Sequence, residues 1–505
     1  MKSTMRLLRP KTARNDGWHF VPRNDGLRLL LLPVVLLSIV FSSFAQKPDR
    51  TAPPPVGPTP SFSMAQVQHF TLSNGLQVVL LEKHQVPLVQ INLVIKSGAV
   101  NDPAGKTGLA SMVATMLTDG SGSRDALAFA DAVDYLGASL YGSAGLHTSS
   151  VSLHTPVSKL DSAIALQAEA ALRPTFASAE LERHRKERLT TLLSWRDEAR
   201  AQASALFSRT LYTLDHPYGR TSIGDEKTIR SISVDDLRQF HSTYYRPNNA
   251  VLVIVGDVTV PMMKPKLEAL LGSWQKGTVS MPSLPAISQV QKRTVSLIDK
   301  PGAAQTEIRI GSIGAPRMTD DYYAIVVMNT ILGGSFSSRL NQNLREEHGY
   351  TYGAGSSFGF RALAGPFTAA SSVHTAKTDS ALMEFMKELN GMLQPIPQED
   401  VDRAKNYVAL GFPADFQTVG EIASKIEEMV IYNLPDDYFN NFIKNVLAVT
   451  KADVERVAKI FIHPDKMAVI LVGDRKEIEA KVSGMKLGAL RNLTVDDVLG
   501  KPPIN

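Results

Sequence analysis

Residues 233–257 read SVDDLRQFHSTYYRPNNAVLVIVGD, and residues 450–474 read TKADVERVAKIFIHPDKMAVILVGD. Each stretch opens with a hydroxyl residue followed three positions later by an acid. That is the pattern of a helix start at which side chain and backbone satisfy each other reciprocally. A helical apolar stripe follows, then a proline, then an unbroken run of aliphatic residues closing on Gly-Asp. Ser233 and Thr450, Pro247 and Pro464, and Gly256 and Gly473 are each 217 residues apart. A constant offset across cap, proline and turn indicates duplication, and the period is far too long for a solenoid.

Working outward, the chain divides into two homologous halves at 66–280 and 294–490. Residues 281–293, with Pro282 and Pro285, form a linker, and 491–505 a tail. Within the first half, strand signals at 77–82, 88–96 and 149–153 precede helical patterns at 158–172 and 180–197. An early helix is read at 108–117, where Leu109, Met112, Val113, Met116 and Leu117 share one face. This order predicts an α+β protein of two halves, each a mixed or antiparallel sheet with helices packed on one face. No Gly-x-Gly-x-x-Gly turn follows a strand, and no Gly-Lys-Ser/Thr phosphate loop is present.

The 505 residues contain no cysteine, which excludes disulfides, thiolate metal sites and a cysteine nucleophile. The net charge of +5 is confined to the first 45 residues. They hold seven Lys/Arg against two acids, leaving 47 of each sign in the rest. Without that segment nothing favours nucleic acid or an anionic membrane. The segment itself has basic residues, a 13-residue apolar run at 29–41, and small residues at Ser43 and Ala45. A bilayer-spanning helix needs about 20 residues, so 1–45 reads as a signal peptide cut after Ala45, with export to the periplasm. No membrane span is expected after its removal; an uncleaved signal would leave the protein membrane-associated. Six prolines in residues 46–65 make that stretch an extended tether.

Several stretches resemble the insulinase/pitrilysin-type zinc metallopeptidases. They are FTLSNGLQVVLLEKHQVPLVQINLVIKSGAVNDPAGKTGLA at 70–110, HPYG at 216–219, YYRPNNAVLVIVGDV at 244–258, and LGGSFSSRLNQNLREEHGYTYGAGSSF at 332–358. The resemblance spans about 66–490 and implies a fold that builds half of a clamshell chamber. It also implies a zinc site: His-x-x-Glu-His after the "GLA" turn, plus a Glu on a later helix. Two His at i and i+4 share a helix face and bind Zn²⁺, and the Glu between them polarises water. Here the corresponding residues are Ser111, Ala114, Thr115 and Thr191. Neither alcohols nor a methyl supply imidazole, carboxylate or base, so no zinc is expected in this chain. His184 and Glu187 share a helix without a second His and read as a solvated charged face. His147 and His154, on or near strands, read as satisfied or exposed histidines.

In the second half, Arg345 and Tyr352 match the family's Arg/Tyr pair in type and spacing. The resemblance implies that they act on peptide at the zinc of an opposing half or subunit. Ser337 reads as a helix cap, Leu340 and Leu344 as its apolar side, and Gly349 as its C-terminal stop. Guanidinium and phenol are donors suited to a peptide carbonyl or an oxyanion. An ion pair of Arg345 with Glu346 or Glu347, and Tyr350 as the relevant phenol, are the local alternatives. Gly333-Gly334-Ser335 reads either as a substrate-facing loop or as a tight turn. The function expected is thus the zinc-free subunit of an exported heterodimeric metallopeptidase. Its partner is a zinc-bearing subunit of the same family, and its substrate is peptide. A non-enzymatic scaffold or peptide-binding core subunit is the alternative.

Overall fold

The computed structural model describes residues 61–503; the segment read as a signal peptide and most of the stretch read as a tether lie outside the described residues. The strands are β1 (Gln68–Thr71), β2 (Gln77–Glu82), β3 (Leu88–Ile95), β4 (Ser139–Ala144), β5 (Ser149–Pro156) and β6 (Ala250–Gly256). In the second half they are β7 (Thr294–Asp299), β8 (Gln305–Ile313), β9 (Thr351–Phe358), β10 (Pro366–His374), β11 (Ala468–Gly473) and β12 (Leu490–Leu493). They form two six-stranded mixed sheets, β1-β2-β6-β3-β5-β4 and β12-β7-β11-β8-β10-β9. From β2 and β7 inward the two orders coincide, with β6 parallel to β2 and β11 parallel to β7. The outer edges differ: β1 runs antiparallel to β2, whereas β12 runs parallel to β7.

The duplicated stretch provides the matching central strands. Ser233 accepts from the Asp236 N–H while the Asp236 side chain accepts from Ser233, and Thr450 and Asp453 repeat the arrangement. Every residue of β6 and of β11 is buried. Such a strand needs cover on both faces, which explains an unbroken aliphatic run where a half-exposed strand would alternate.

On the first sheet, one face packs against the half's own helices, α1 (Leu109–Met116) and α2 (Leu160–Leu172), through Ile91, Leu93, Leu252 and Ile254. Helices α3 (Ser178–Trp195) and α4 (Ala199–Tyr212) follow in sequence. The second half supplies α5 (Tyr322–Leu332), α6 (Thr378–Gly391), α7 (Gln398–Gly411) and α8 (Val419–Tyr432). The other face of each sheet is covered by a helix from the opposite half. α4 lies on β8 and β11, joining Leu206, Phe207 and Leu211 to Ile470 and Val472. α8 lies on β3 and β6, joining Ile422, Ile426 and Met429 to Val94, Val251 and Val253. Gly311 is required here, since a Cβ would stand 2.8 Å from the Phe207 ring.

Residues 491–499, read from the sequence as a tail, belong to the fold. β12 extends the second sheet, and the Val495–Leu499 helix receives hydrogen bonds from Arg209 at the Val498 and Asp497 carbonyls. β12, Leu490-Arg491-Asn492-Leu493, has four residues and no apolar alternation, so periodicity does not mark it. Residues 274–293 carry neither helix nor strand, and Leu284, Ile287 and Val290 rest against the α4–β11 core.

Candidate functional site

α1 starts at Gly108, whose φ of +95° lets the chain turn while Asp102 accepts from the Gly108 and Ala110 N–H groups, both at 2.7 Å. Burial lifts the Asp102 carboxyl to about 6 against the opposing pull of those hydrogen bonds and of Arg188 and Arg220. The hydroxyls at the zinc-site positions are turned onto backbone. Ser111 Oγ lies 2.8 Å from Ser222 O and 3.0 Å from Gly108 O. Thr115 Oγ1 donates to Ser111 O, and on α3 Thr191 Oγ1 donates to Glu187 O. Ala114 is fully buried, and β4 crosses so close that a Cβ on Gly142 would stand 1.9 Å from its carbonyl oxygen.

Beside them the buried Arg188 donates to the same Gly108 carbonyl at 2.8 Å. Burial brings its guanidinium down to about 10, partly offset by Asp102. A fixed cation next to neutral alcohols that already donate elsewhere is the opposite of what a dication needs. These residues do not fit a zinc ion. Among the described residues no group of three or more His, Asp and Glu is placed to hold a metal.

His184 is buried, which corrects the solvated-face reading. Its Nε2 lies 2.5 Å from Asp119 and its Nδ1 3.0 Å from Glu187, while Arg183 spans Asp119, Glu180 and Glu187. Asp119 follows α1 in sequence, and helical spacing on α3 alone did not reveal it as a neighbour. His147 bonds Tyr218 and His154 bonds Gln90, so both are satisfied.

In the second half, a short helix at Arg339–Asn341 widens into a π-helical turn at Gln342–Glu347. Its first flanking residue is Ser338, one later than the cap read from sequence, and Ser338 makes no capping bond. Leu340 and Leu344 are buried, and Gly349 at φ +62° ends the turn with its N–H on Arg345 O. Tyr350 is committed to packing: it stacks on His348 at 4.9 Å and lies against the core. Tyr352 is 85% exposed, and among the described residues its hydroxyl makes no hydrogen bond. It lines a hollow of about 500 Å³ with Arg200, Glu307, Arg309 and Ser372.

Arg345 does not line that hollow. Its Nε is 3.3 Å from Glu346, and its guanidinium lies 4.7 Å from the Phe336 ring centre. Gly333 lines a second hollow, which shares Arg309 and Ala370 with the first. Its carbonyl accepts from Ser356 N, and a Cβ there would stand 2.2 Å from that nitrogen. Gly334 packs on Asn329, whereas Ser335 sits in a separate crevice with Asp400 and Arg403. The Gly333 carbonyl thus ties this segment to β9. Arg200, Glu307 and Arg309 escaped the sequence reading. A charged Glu-x-Arg inside the otherwise apolar strand QTEIRIGSI was the available signal.

Fold and site together define a duplicated two-sheet chain with a ligand-poor first half and an exposed phenol in the second. Residues 77–220 match the family model described as insulinase, peptidase family M16, and 231–408 the one described as peptidase M16 inactive domain. The non-peptidase homolog YmxG of Helicobacter pylori is 22% identical over 408 residues, 79% of this chain and 92% of its own. An uncharacterized zinc protease of Mycobacterium leprae is 26% identical over 348 residues, 69% of this chain and 77% of its own. The crystal structure of a peptidase M16 inactive domain from Pseudomonas fluorescens matches with a TM-score of 0.76 and 26% identity. It covers 81% of this chain and 98% of that one. The chain belongs to the insulinase (M16) peptidase family.

Proposed function

We propose that this chain is the metal-free subunit of a two-subunit peptidase, exported to the periplasm by its N-terminal signal. One observation carries the reading: the zinc positions have lost every ligand, while Tyr352 stands exposed and uncommitted at a hollow in the other half. Loss of function across the whole chain gives no reason to keep a solvated phenol over a cavity. A zinc-bearing relative supplies the metal and the water. This chain supplies donors: the Tyr352 hydroxyl to a peptide carbonyl or to the oxyanion that forms from it, and the Arg345 guanidinium once it leaves Glu346. The kinship with an inactive-domain structure and a non-peptidase homolog supports the metal-free part of this reading.

The test mixes the purified chain with a zinc-bearing relative and follows cleavage of a quenched fluorescent peptide. The mixture should be active and the chain alone inert. Tyr352→Phe should lower kcat by about 100–1000-fold, the range for loss of one oxyanion donor. No activity and no association in the mixture would sink the proposal.

A second reading, a non-enzymatic scaffold or peptide-binding core subunit, is favoured by Arg345. Its guanidinium is paired with Glu346 and lies outside the Tyr352 hollow. Under that reading Tyr352→Phe leaves assembly with the partner unchanged and no cleavage appears.

A further inference from the structure

We propose that the hollow beside Tyr352 is a carboxylate-binding subsite for the peptide, with Arg200 and Arg309 as its recognition residues. The inference rests on the peptide-binding reading above and adds the chemical class of what is bound.

Glu307 forms the floor. It is 4% exposed and accepts a hydrogen bond from Ser372 Oγ. Arg309 forms a wall, its Nη2 3.5 Å from Glu307, and Arg200 stands at the lip, its Nε 4.0 Å from the same oxygen. Both separations exceed a good hydrogen bond. Arg309 Nε is buried without any hydrogen-bond partner. Two guanidinium groups thus face one carboxylate that is already engaged and shielded. The charge presented to an entering group is positive, and the free donors suit a carboxylate, which arginine binds in a forked, two-point contact. The Tyr352 hydroxyl adds a donor at the same hollow.

The duplication gives an internal control. In β8 and β10 the rungs are Glu307 opposite Ser372 and Arg309 opposite Ala370. The matching rungs of β3 and β5 are Gln90 opposite His154 and Asn92 opposite Ser152. On the crossing helices, Arg200 of α4 corresponds in position to Gly420 of α8, near Gln90. On the first-half face the α8 carboxyl Glu427 bonds Ser150, and burial favours its neutral form. The same framework therefore folds with uncharged residues at these places. Part-buried ions cost desolvation that their mutual attraction barely offsets. Their presence in one half only points to a ligand and not to stability.

Calorimetric titration of the purified full-length chain tests this with four short N-acetylated peptides that differ only at the central residue or the C-terminal group. One is neutral and C-terminally amidated. One carries a central Glu with the amide, one a central Lys with the amide, and one is neutral with a free C-terminal carboxylate. The Glu peptide or the free-carboxylate peptide should bind about tenfold more tightly than the neutral and Lys peptides. Whichever gains identifies a side chain or a chain terminus as the source. Arg200→Gln should remove most of the gain, and Glu307→Gln with Arg309→Asn, which copies the first half, all of it. Arg200 is largely exposed, so its variant keeps the test decisive even where the double variant does not fold. Equal affinity for all four peptides, or a carboxylate preference untouched by the variants, would overturn the subsite alone. Absence of binding by every peptide overturns the peptide-binding reading and this inference with it.

Discussion

β4 and β9 are the corresponding edge strands of two sheets built to the same plan, and they are finished in opposite ways. β4 passes over α1, and its backbone makes no hydrogen bond on its outer side among the described residues. On β9, Ala354 N–H is taken by Asn341 Oδ1, while Ser356 gives its N–H to Gly333 O and receives Asn329 Nδ2 at its carbonyl. The half with hydroxyls and a methyl at the positions matching the zinc site has an open edge, and the half with the exposed phenol has a closed one. A chain can add to an open edge as a further strand; at a pinned edge only side chains remain to make contact. Tyr352, just ahead of the pinned segment, is such a side chain.

The comparison can be broken most decisively at the metal. Ser111→His, Thr115→His and Thr191→Glu together should convert a chain with no measurable zinc into one binding about one equivalent. The gain in affinity should exceed roughly a thousandfold. Elemental analysis after dialysis reads it, and stoichiometric zinc in the unaltered protein would end the contrast. At the closed edge, Gly333→Val should cost about 3 kcal/mol, because its Cβ would run into Ser356 N. Amide exchange should show Ala354 and Ser356 protected in the parent, released in the variant, and the outer amides of β4 fast in both. Equal protection of the two edges would contradict the asymmetry.

The seam between the halves has its own signature. Burial, with Arg361 and His216 nearby, pulls His147 down to about 4. In the unfolded chain it titrates near 6.5. The folded form binds this proton less readily, so its share of stability is intact above about pH 6.5 and is lost as pH falls toward 4. His147→Gln should flatten that decline by up to about 2 kcal/mol in denaturant titrations across the interval. The smallest effect is the matched pair of helix starts. Ser233→Ala and Thr450→Ala should each cost about 1 kcal/mol. A large inequality would mean that the two copies of the capping box no longer serve equivalent helices.

Much of this was legible in the residues. The 217-residue offset located β6 and β11, and the capping boxes at Ser233 and Thr450 formed as their spacing requires. That Ser111, Ala114, Thr115 and Thr191 bring no imidazole or carboxylate is a matter of residue type and needs no geometry. The crossing of α4 and α8 was not legible. Leu206, Phe207 and Leu211 mark an apolar face on α4, but periodicity names the face and not the sheet that covers it. The Tyr352 hollow was missed for a similar reason. Arg200 and Arg309 are 109 positions apart, and only the crossing brings them to one cavity. The pairing of Asp119 with His184 likewise depends on how α3 lies against the end of α1.

That exchange of helices limits how the molecule can move. Because α4 is seated on the far sheet and α8 on the near one, the lobes of a single chain cannot swing apart like jaws without stripping a helix from each. A nick in residues 274–293 would leave two fragments still interlocked as one particle. Widening a cleft between the lobes would therefore cost the buried apolar faces of both crossing helices.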